Sequence, residues 1–362
     1  MSVQTYISKS KRGIFPSITP RIVGWFFLIL TVVLVSVLFQ PIAEVFSGKW
    51  ILQSEFQIFD LNSIKLNNPS LASNPILEIL SNIGLSQLNI RYYAITMLVG
   101  VLSGFFLTLF LASRHYIAET LIDRLFIGIL IIGLIGARIL FILVNNSLFK
   151  EPLDYINLQK GGLAIFGGLI AGTIYTWYYC SKYKFNKYEF GDFLAPGVLL
   201  GQIIGRFGNF FNYEAYGAPT RVNWKMYVPE SVVTNNRDTQ YFNISNSERF
   251  YHPAFLYEII PNTFLLLIIL FNYERMTERK AGIVLATYMV GYGLIRFFTE
   301  FQRLDALRIT LPANIQFVLF GWTIEAIYVT QLLALSLFVA GIYVFYTRRK
   351  VIFNKRELNE VN

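Results

Sequence analysis

The sequence predicts an all-α membrane protein, a polytopic bundle of about eight transmembrane helices with both termini in the cytoplasm and small periplasmic cap segments. Three observations predict this class: the composition, a series of long apolar runs and the placement of positive charge. The chain has 362 residues, of which 54% are hydrophobic and 15% charged. Because about a quarter of the residues in a soluble chain are charged, the composition indicates a membrane protein.

The apolar runs give the predicted helices. A membrane helix needs about 20 mostly apolar residues. Eight stretches approach that length: 22–39, 92–112, 125–144, 162–180, 192–211, 254–272, 282–299 and 324–346. The first follows a basic segment, is longer than a usual signal-peptide core and has no obvious cleavage site, so we interpret it as a retained signal-anchor helix.

Positive charge gives the predicted orientation. If the N-terminus is inside and the eight runs alternate, more than half of the 31 lysines and arginines fall on short inside segments. The outside segments are then about 40–91, 145–161, 212–253 and 300–323. We therefore expect an N-terminal extension with the anchor helix (1–75), a membrane domain (76–350) with a periplasmic insertion at 218–250, and a cytoplasmic tail (351–362).

Composition also weighs against several other functions. The net charge of +9 does not indicate a nucleic-acid partner, because much of the excess lies beside apolar runs. The single cysteine, Cys180, excludes an intrachain disulfide and a cysteine-cluster metal site. The absence of an internal repeat gives no support to a transporter built from inverted halves.

Two charged clusters occur where membrane helices should be apolar. The first covers 205–217 and contains Arg206 and Glu214, and the second covers 291–303 and contains Arg296. An ionisable group at membrane depth costs about 2.5–3.5 kcal/mol on insertion scales, so it usually faces a polar interior and has a function there. Arginines in such a place indicate an anion ligand, most naturally a phosphate.

Helical spacing arranges these residues on defined faces. Arg206 and Asn209 are three residues apart, whereas Tyr292, Arg296 and Glu300 follow one another at intervals of four. Both clusters lie toward the outer ends of their predicted helices, so we expect them to meet. The alternative is purely structural: each arginine forms a buried ion pair within its own cluster, Arg206 with Glu214 and Arg296 with Glu300.

Three further features each allow two interpretations. His252 and Glu258 open the sixth predicted helix, either as capping and ion-pairing residues or as an orienting or proton-carrying contact for the pocket. Arg138 lies inside a predicted helix, either as an ion pair or as a ligand contact. The glycine run 161–168 either exposes backbone N–H groups to an anion or provides a tight helix-packing surface.

Taken together, these motifs resemble the prolipoprotein diacylglyceryl transferases of bacterial inner membranes. The resemblance covers about residues 76–350 and is carried, in family order, by Arg91 with Tyr93, the glycine run 161–168, Gly205-Arg206-Phe207-Gly208-Asn209-Phe210 with Asn212, Glu214 and Gly217, His252-Pro253 with Leu256-Tyr257-Glu258, and Tyr292-Gly293, Arg296-Phe297, Glu300-Phe301 and Arg303.

The resemblance implies a reaction. Members of this family move the diacylglyceryl group of phosphatidylglycerol onto the lipobox cysteine thiol of a prolipoprotein and release glycerol-1-phosphate, without a metal or organic cofactor. It implies membrane lipids and prolipoprotein signal peptides as partners. The residues that it places in catalysis are Arg206, Arg296, Tyr292, Glu214, Glu300 and His252. Those that it places around phosphatidylglycerol are Arg206, Asn209, Asn212, Gly217, Tyr93, Arg296 and Arg303.

The chain departs from the family pattern in two places. The helix at 22–39 and the segment 40–75 are additions to a family that usually has seven spans. The family histidine in the glycine run, a candidate general base, is replaced by Phe166, which cannot take a proton. The proton then passes to Tyr292, His252 or a carboxylate, or the chain is a non-catalytic or weakly active relative that binds lipid or lipoprotein.

Overall fold

Seven helices dominate the part of the chain that the computed structural model describes, which is Ile22 together with residues 55–60, 87–115, 117, 119–146, 162–229, 250–303, 308–310, 317–319, 322–324 and 326–349. The helices are α1 (Tyr92–Arg114), α2 (Glu119–Val144), α3 (Ile165–Lys182), α4 (Lys187–Phe211), α5 (Ala254–Arg279), α6 (Ile283–Glu300) and α7 (Val329–Arg349). They coincide with seven of the eight predicted runs, and the eighth, 22–39, lies outside the described residues except for Ile22.

Short antiparallel strand pairs accompany the helices, which the all-α prediction did not include. The strands are β1 (Glu55–Asp60), β2 (Gln87–Arg91), β3 (Met226–Tyr227), β4 (Phe250–Tyr251), β5 (Arg308–Thr310), β6 (Phe317–Leu319), β7 (Trp322–Ile324) and β8 (Ala326–Tyr328). They pair as β1 with β2, β3 with β4, β5 with β8 and β6 with β7. The last predicted helix was placed too early, because residues 322–324 form β7, residues 326–328 form β8 and the helix begins at Val329.

Four of the described helices are long and apolar enough to cross a membrane: Tyr92–Arg114, Glu119–Val144, Ala254–Glu278 and Val329–Arg348. Large apolar side chains remain exposed along them, as in Leu98, Ile131 and Tyr343, which suits contact with lipid. The chain is therefore a helical membrane protein with more than one crossing. Crossings by α3, α4 and α6 stay a prediction.

Close helix contacts depend on glycine. A Cβ atom on Gly197 of α4 would lie 2.5 Å from the carbonyl oxygen of Gly104 on α1, and one on Gly167 of α3 would lie 2.3 Å from that of Gly136 on α2. Real side chains do not tolerate such distances, so only glycine lets these backbones approach. In the glycine run, Gly167 thus packs against a helix, the second of its two predicted interpretations.

The helices α4, α5 and α6 form the core around the charged residues. We call the end of the bundle where α4 and α6 finish and α5 begins the site end. At the opposite end, Asp192 near the start of α4 accepts hydrogen bonds from the backbone N–H groups of Gly282 (2.5 Å) and Leu285 (2.9 Å). A carboxylate on α4 therefore caps the N-terminus of α6, whose own N-cap residue, Gly282, has no side chain. This contact fixes the parallel register of α4 and α6.

Candidate functional site

The two charged clusters meet at the site end, and a third helix joins them. Glu258, one turn into α5, lies between Arg206 of α4 and Arg296 of α6. Its Oε1 is 2.8 Å from Nη2 of Arg206, and its Oε2 accepts a hydrogen bond of 3.0 Å from Nη1 of Arg296. Nη2 of Arg296 is 2.6 Å from Oε2 of Glu300. The four side chains form one chain of alternating charge.

Because this network is buried, removing one of its charges costs a large amount of folding free energy. Glu258 and Glu300 are each 1% exposed and Arg296 is 8% exposed. Removing one partner of a buried ion pair typically costs about 3–5 kcal/mol, because the remaining charge is left without compensation. Each guanidinium has five N–H donors, and the carboxylates do not use all of them. The arrangement therefore holds two arginines next to each other and leaves donors for an anion.

The predicted partner of Arg206 was wrong, and that of Arg296 is confirmed. Arg206 pairs with Glu258, whereas the exposed Glu214 accepts weak hydrogen bonds from the amide groups of Asn209 (3.4 Å) and Asn212 (3.3 Å). The cause is the backbone beyond α4. The helix ends at Phe211, so the helical spacing that would place Glu214 near Arg206 no longer applies.

The turn after α4 has an uncommon backbone. Tyr213 and Ala215 have φ angles of 52° and 53°, in the left-handed region that non-glycine residues seldom adopt. The N–H of Glu214 bonds to the carbonyl of Asn209 (2.9 Å), which closes the helix end in the manner of a Schellman motif. Asn209 also accepts a long contact from Nη1 of Arg206 (3.5 Å). The turn thereby positions the amides and Glu214 beside Arg206.

Tyrosines border the arginines on two sides. Tyr292, one turn before Arg296 on α6, makes a side-chain hydrogen bond with Arg206 and stacks on Tyr288 with ring centroids 5.6 Å apart. Tyr93 near the start of α1 lies within electrostatic range of Arg206 and Glu214. Its ring packs on Gly208, where an added Cβ atom would come within 2.6 Å of it. The structure therefore brings both predicted tyrosines to the arginine site.

His252 takes part in a chain of hydrogen bonds. Its Nδ1 is 2.8 Å from the hydroxyl of Tyr257, which accepts a bond of 2.6 Å from Nε1 of Trp224. An indole N–H can only donate, so the Tyr257 hydroxyl accepts from Trp224. Its oxygen keeps a second lone pair and one hydrogen, so the contact with Nδ1 suits either tautomer of His252.

The loop that contains Gly217 holds His252 against the end of α6. The N–H of Gly217 donates to the carbonyl of His252 (2.7 Å), and the N–H of His252 donates to the carbonyl of Ala218 (3.0 Å). A Cβ atom on Gly217 would lie 2.6 Å from the carbonyl oxygen of Gln302. Gly217 is therefore a close packing point at the site. Arg303 follows Gln302 directly and has a half-buried side chain.

Phe166 belongs to α3, which is not one of the three helices that carry this network. It is half-buried in the first turn of α3, whose contacts are mainly with α2 and only slightly with α4. Nearby, Nη1 of Arg138 donates to the carbonyl of Gly162 (3.2 Å). This backbone carbonyl is one partner of Arg138 in the described part of the chain. Arg91 is described only as the last residue of β2.

Glu258 is the one residue of this network that was not among the predicted catalytic or lipid-binding residues. Its pairing with an arginine was one of the two predicted interpretations of the 252–258 motif, and that interpretation is confirmed. Its bridging of both arginines was not predicted. Among the described residues, no group of three or more His, Cys, Asp or Glu side chains could hold a metal ion.

Comparison with known proteins identifies the family. The model of the family described as prolipoprotein diacylglyceryl transferase matches residues 79–347. The chain belongs to this family. A phosphatidylglycerol–prolipoprotein diacylglyceryl transferase of Prochlorococcus marinus (strain MIT 9301) is 32% identical over 298 residues, which cover 76% of this chain and 95% of the relative.

Further relatives carry the same name. One from Lactobacillus acidophilus is 34% identical over 272 residues, covering 74% of this chain and 89% of the relative. Another from Prochlorococcus marinus (strain MIT 9215) is 34% identical over 244 residues, covering 62% and 79%. None of these family members favours the alternative of a non-catalytic lipid-binding relative.

Because Glu258 bridges the two arginines, we expect its replacement to destabilise the protein more than the replacement of Glu214. Replacing Glu258 with leucine leaves Arg206 without its ion-pair partner and Arg296 with Glu300 alone, so we expect a loss of about 3–5 kcal/mol in the free energy of unfolding. Glu214→Leu is the matched control. It removes an exposed carboxylate with long contacts and should cost less than about 1 kcal/mol. Denaturant unfolding in detergent measures both, and equal losses would contradict the bridging role.

Proposed function

We propose that this protein transfers the diacylglyceryl group of phosphatidylglycerol to the lipobox cysteine thiol of prolipoproteins and releases glycerol-1-phosphate. The observation that carries the proposal is the pair Arg206 and Arg296, held side by side by Glu258 in a chain of this family. The pairing suits an anionic phosphate, because guanidinium groups bind phosphate oxygens through paired N–H donors.

In the proposed reaction the thiolate sulfur attacks the glycerol methylene carbon that carries the phosphate. A carbon–sulfur bond forms, the carbon–oxygen bond breaks, and its electron pair leaves with the phosphate oxygen. Negative charge therefore grows on the phosphate, beside Arg206 and Arg296. Donors that are already oriented toward developing charge stabilise the transition state, which is commonly the largest catalytic contribution. Glu258 and Glu300 act here as positioning residues for the arginines.

The remaining predicted residues surround the same phosphate site in this proposal. Tyr292 supplies a hydroxyl next to Arg206, and Tyr93, Asn209 and Asn212 line the side formed by α1 and the turn after α4. Glu214 orients the two amides. Gly217 lets the loop approach, and Arg303 contributes positive charge at the rim.

The hydrogen-bonded pair of Tyr257 and His252 accepts the proton of the thiol. With the proton of His252 on Nε2, the thiol hydrogen passes to the Tyr257 oxygen while the Tyr257 hydrogen passes to Nδ1 of His252, 2.8 Å away. This route replaces the histidine that the family usually has at the position of Phe166. General-base assistance of this kind contributes about 10²–10⁴-fold in rate.

The membrane arrangement proposed for this activity has eight spans with both termini in the cytoplasm. The protein lies in the bacterial inner membrane, and the site end faces the periplasm, where signal-peptide cysteines of prolipoproteins are reached. Residues 1–75 form an extension with a signal anchor, 76–350 form the transferase domain with its periplasmic insertion at 218–250, and 351–362 form a cytoplasmic tail. The distribution of lysine and arginine supports this orientation.

Loss of either arginine should abolish transfer. We expect Arg206→Ala and Arg296→Ala to lower the rate of glycerol phosphate release at least about 10²–10³-fold, because each removes donors from the leaving phosphate. The assay uses purified protein, phosphatidylglycerol vesicles and a lipobox peptide. Arg114→Ala is the control, since Arg114 pairs with Glu274 at the opposite end of the bundle. If the folded wild-type protein releases no glycerol phosphate, the proposed function is wrong.

The proton route predicts a selective rescue. Tyr257→Phe should slow transfer to a cysteine peptide about 10²-fold or more, yet react at a near wild-type rate with a peptide that carries selenocysteine. A selenol is already ionised at neutral pH, so no proton has to be removed. Tyr178→Phe, on an exposed tyrosine of α3, should change neither rate. An equal defect with both peptides would mean that Tyr257 has only a structural role.

A further inference from the structure

A second polar layer lies one helical turn below the arginines, on the side away from the site end. Three residue pairs are each four positions apart in the sequence: Gln202 and Arg206, Glu258 and Asn262, and Tyr292 and Arg296. Residues four apart lie on one helix face, about 6 Å along the axis. Because α4 and α6 run toward the site end and α5 runs away from it, all three displacements point in the same direction.

Asn262 is the unusual member of this layer. Its side chain is 0% exposed, and neither its Oδ1 nor its Nδ2 has a hydrogen-bond partner within the described part of the chain. A buried amide without partners is costly, so almost all buried polar groups in proteins are bonded. Asn262 shares its helix face with Glu258, which touches both arginines. An unpartnered donor and an unpartnered acceptor therefore lie next to the proposed phosphate site.

Gln202 and Tyr288 extend the layer. The Tyr288 hydroxyl donates to Oε1 of Gln202 (3.3 Å), which leaves the Gln202 amide nitrogen as a further donor. Tyr288 stacks on Tyr292, so the two rings connect this layer with Arg206. The layer thus offers amide donors and an amide acceptor below a pair of guanidinium groups.

We propose that Asn262 and Gln202 recognise the hydroxyl groups of the headgroup glycerol that leaves with the phosphate. This inference rests on the proposed function. A hydroxyl both donates and accepts, so it satisfies Oδ1 and Nδ2 of Asn262 together. The ester groups of the lipid only accept and would leave Oδ1 unpaired. Position agrees, because acyl chains must reach the surrounding membrane, whereas Asn262 is enclosed within the bundle.

The test compares two lipids that differ only in these hydroxyls. Phosphatidylpropanol, with a 1-propyl headgroup, keeps the phosphodiester, the diacylglyceryl group and the three headgroup carbons but has no headgroup hydroxyl. We expect the wild-type protein to use phosphatidylglycerol at least about tenfold faster than phosphatidylpropanol, since a site built for hydroxyls rejects a lipid that lacks them. In Asn262→Leu this ratio should fall toward one, through loss of activity with phosphatidylglycerol only.

The matched control is Asn272→Leu, on the same helix near the opposite end, where the amide only donates to the carbonyl of Ile268. It should keep the wild-type ratio. If Asn262→Leu does not fold, as judged by thermal melting, Gln202→Met decides the question by the same ratio. Diether phosphatidylglycerol, which lacks the ester carbonyls, should be used equally by the wild-type protein and Asn262→Leu relative to the diester.

Two results would overturn this inference while leaving the proposed function intact. One is an active wild-type protein whose ratio is unchanged in Asn262→Leu, as expected if the amide binds only water. The other is an Asn262→Leu defect that disappears with the diether lipid, which would assign the amide to an ester carbonyl. A folded wild-type protein without activity on phosphatidylglycerol would instead contradict the proposed function itself.

Discussion

The carboxylate of Glu258 is the contact on which the rest of the site depends. Two guanidinium groups repel each other, and the apolar interior of a bundle screens that repulsion poorly. A single buried carboxylate between Arg206 and Arg296 allows the two guanidinium groups to lie close together. Glu300 adds a second negative charge next to Arg296, so two carboxylates balance two arginines. The protein thereby keeps two arginines oriented before any ligand arrives. This orientation is what electrostatic stabilisation of a leaving phosphate needs, because no reorganisation is then required during the reaction.

The fold serves this contact by fixing three helices against one another. The Asp192 cap joins the beginnings of α4 and α6, and the glycines of α1 and α4 let those two backbones approach closely. With the helix starts held, Arg206 and Arg296 reach the same level about 20 Å or more along each axis only if the register is correct. α5 then enters in the opposite direction and brings Glu258 to that level within its second turn. The Tyr257–His252 pair enters at the same end and from the same helix.

Short-range periodicity is what the sequence could predict. The helices around the site, the stripe of Tyr292, Arg296 and Glu300, and the convergence of the two clusters all follow from spacing within one element and from membrane depth. The bridge by Glu258 could not be predicted in this way, because it joins residues 38 positions apart on separate helices. Its geometry depends on which face of α5 turns toward α4 and α6. The alternative that paired Arg206 with Glu214 used only their membership of one cluster, and beyond Phe211 the chain turns through left-handed residues instead. That the buried Asn262 side chain has no hydrogen-bond partner among the described residues likewise becomes apparent only when the neighbouring helices are in place.

A crystal structure with bound phosphatidylglycerol would show whether the two arginines hold the phosphate. We expect the phosphate to contact Arg206 and Arg296 together while Glu258 remains bonded to both, with the headgroup glycerol directed toward Asn262. A phosphate bound elsewhere, with the two arginines contacting only Glu258 and Glu300, would contradict this expectation. The buried charges would then serve only to hold the helices in register.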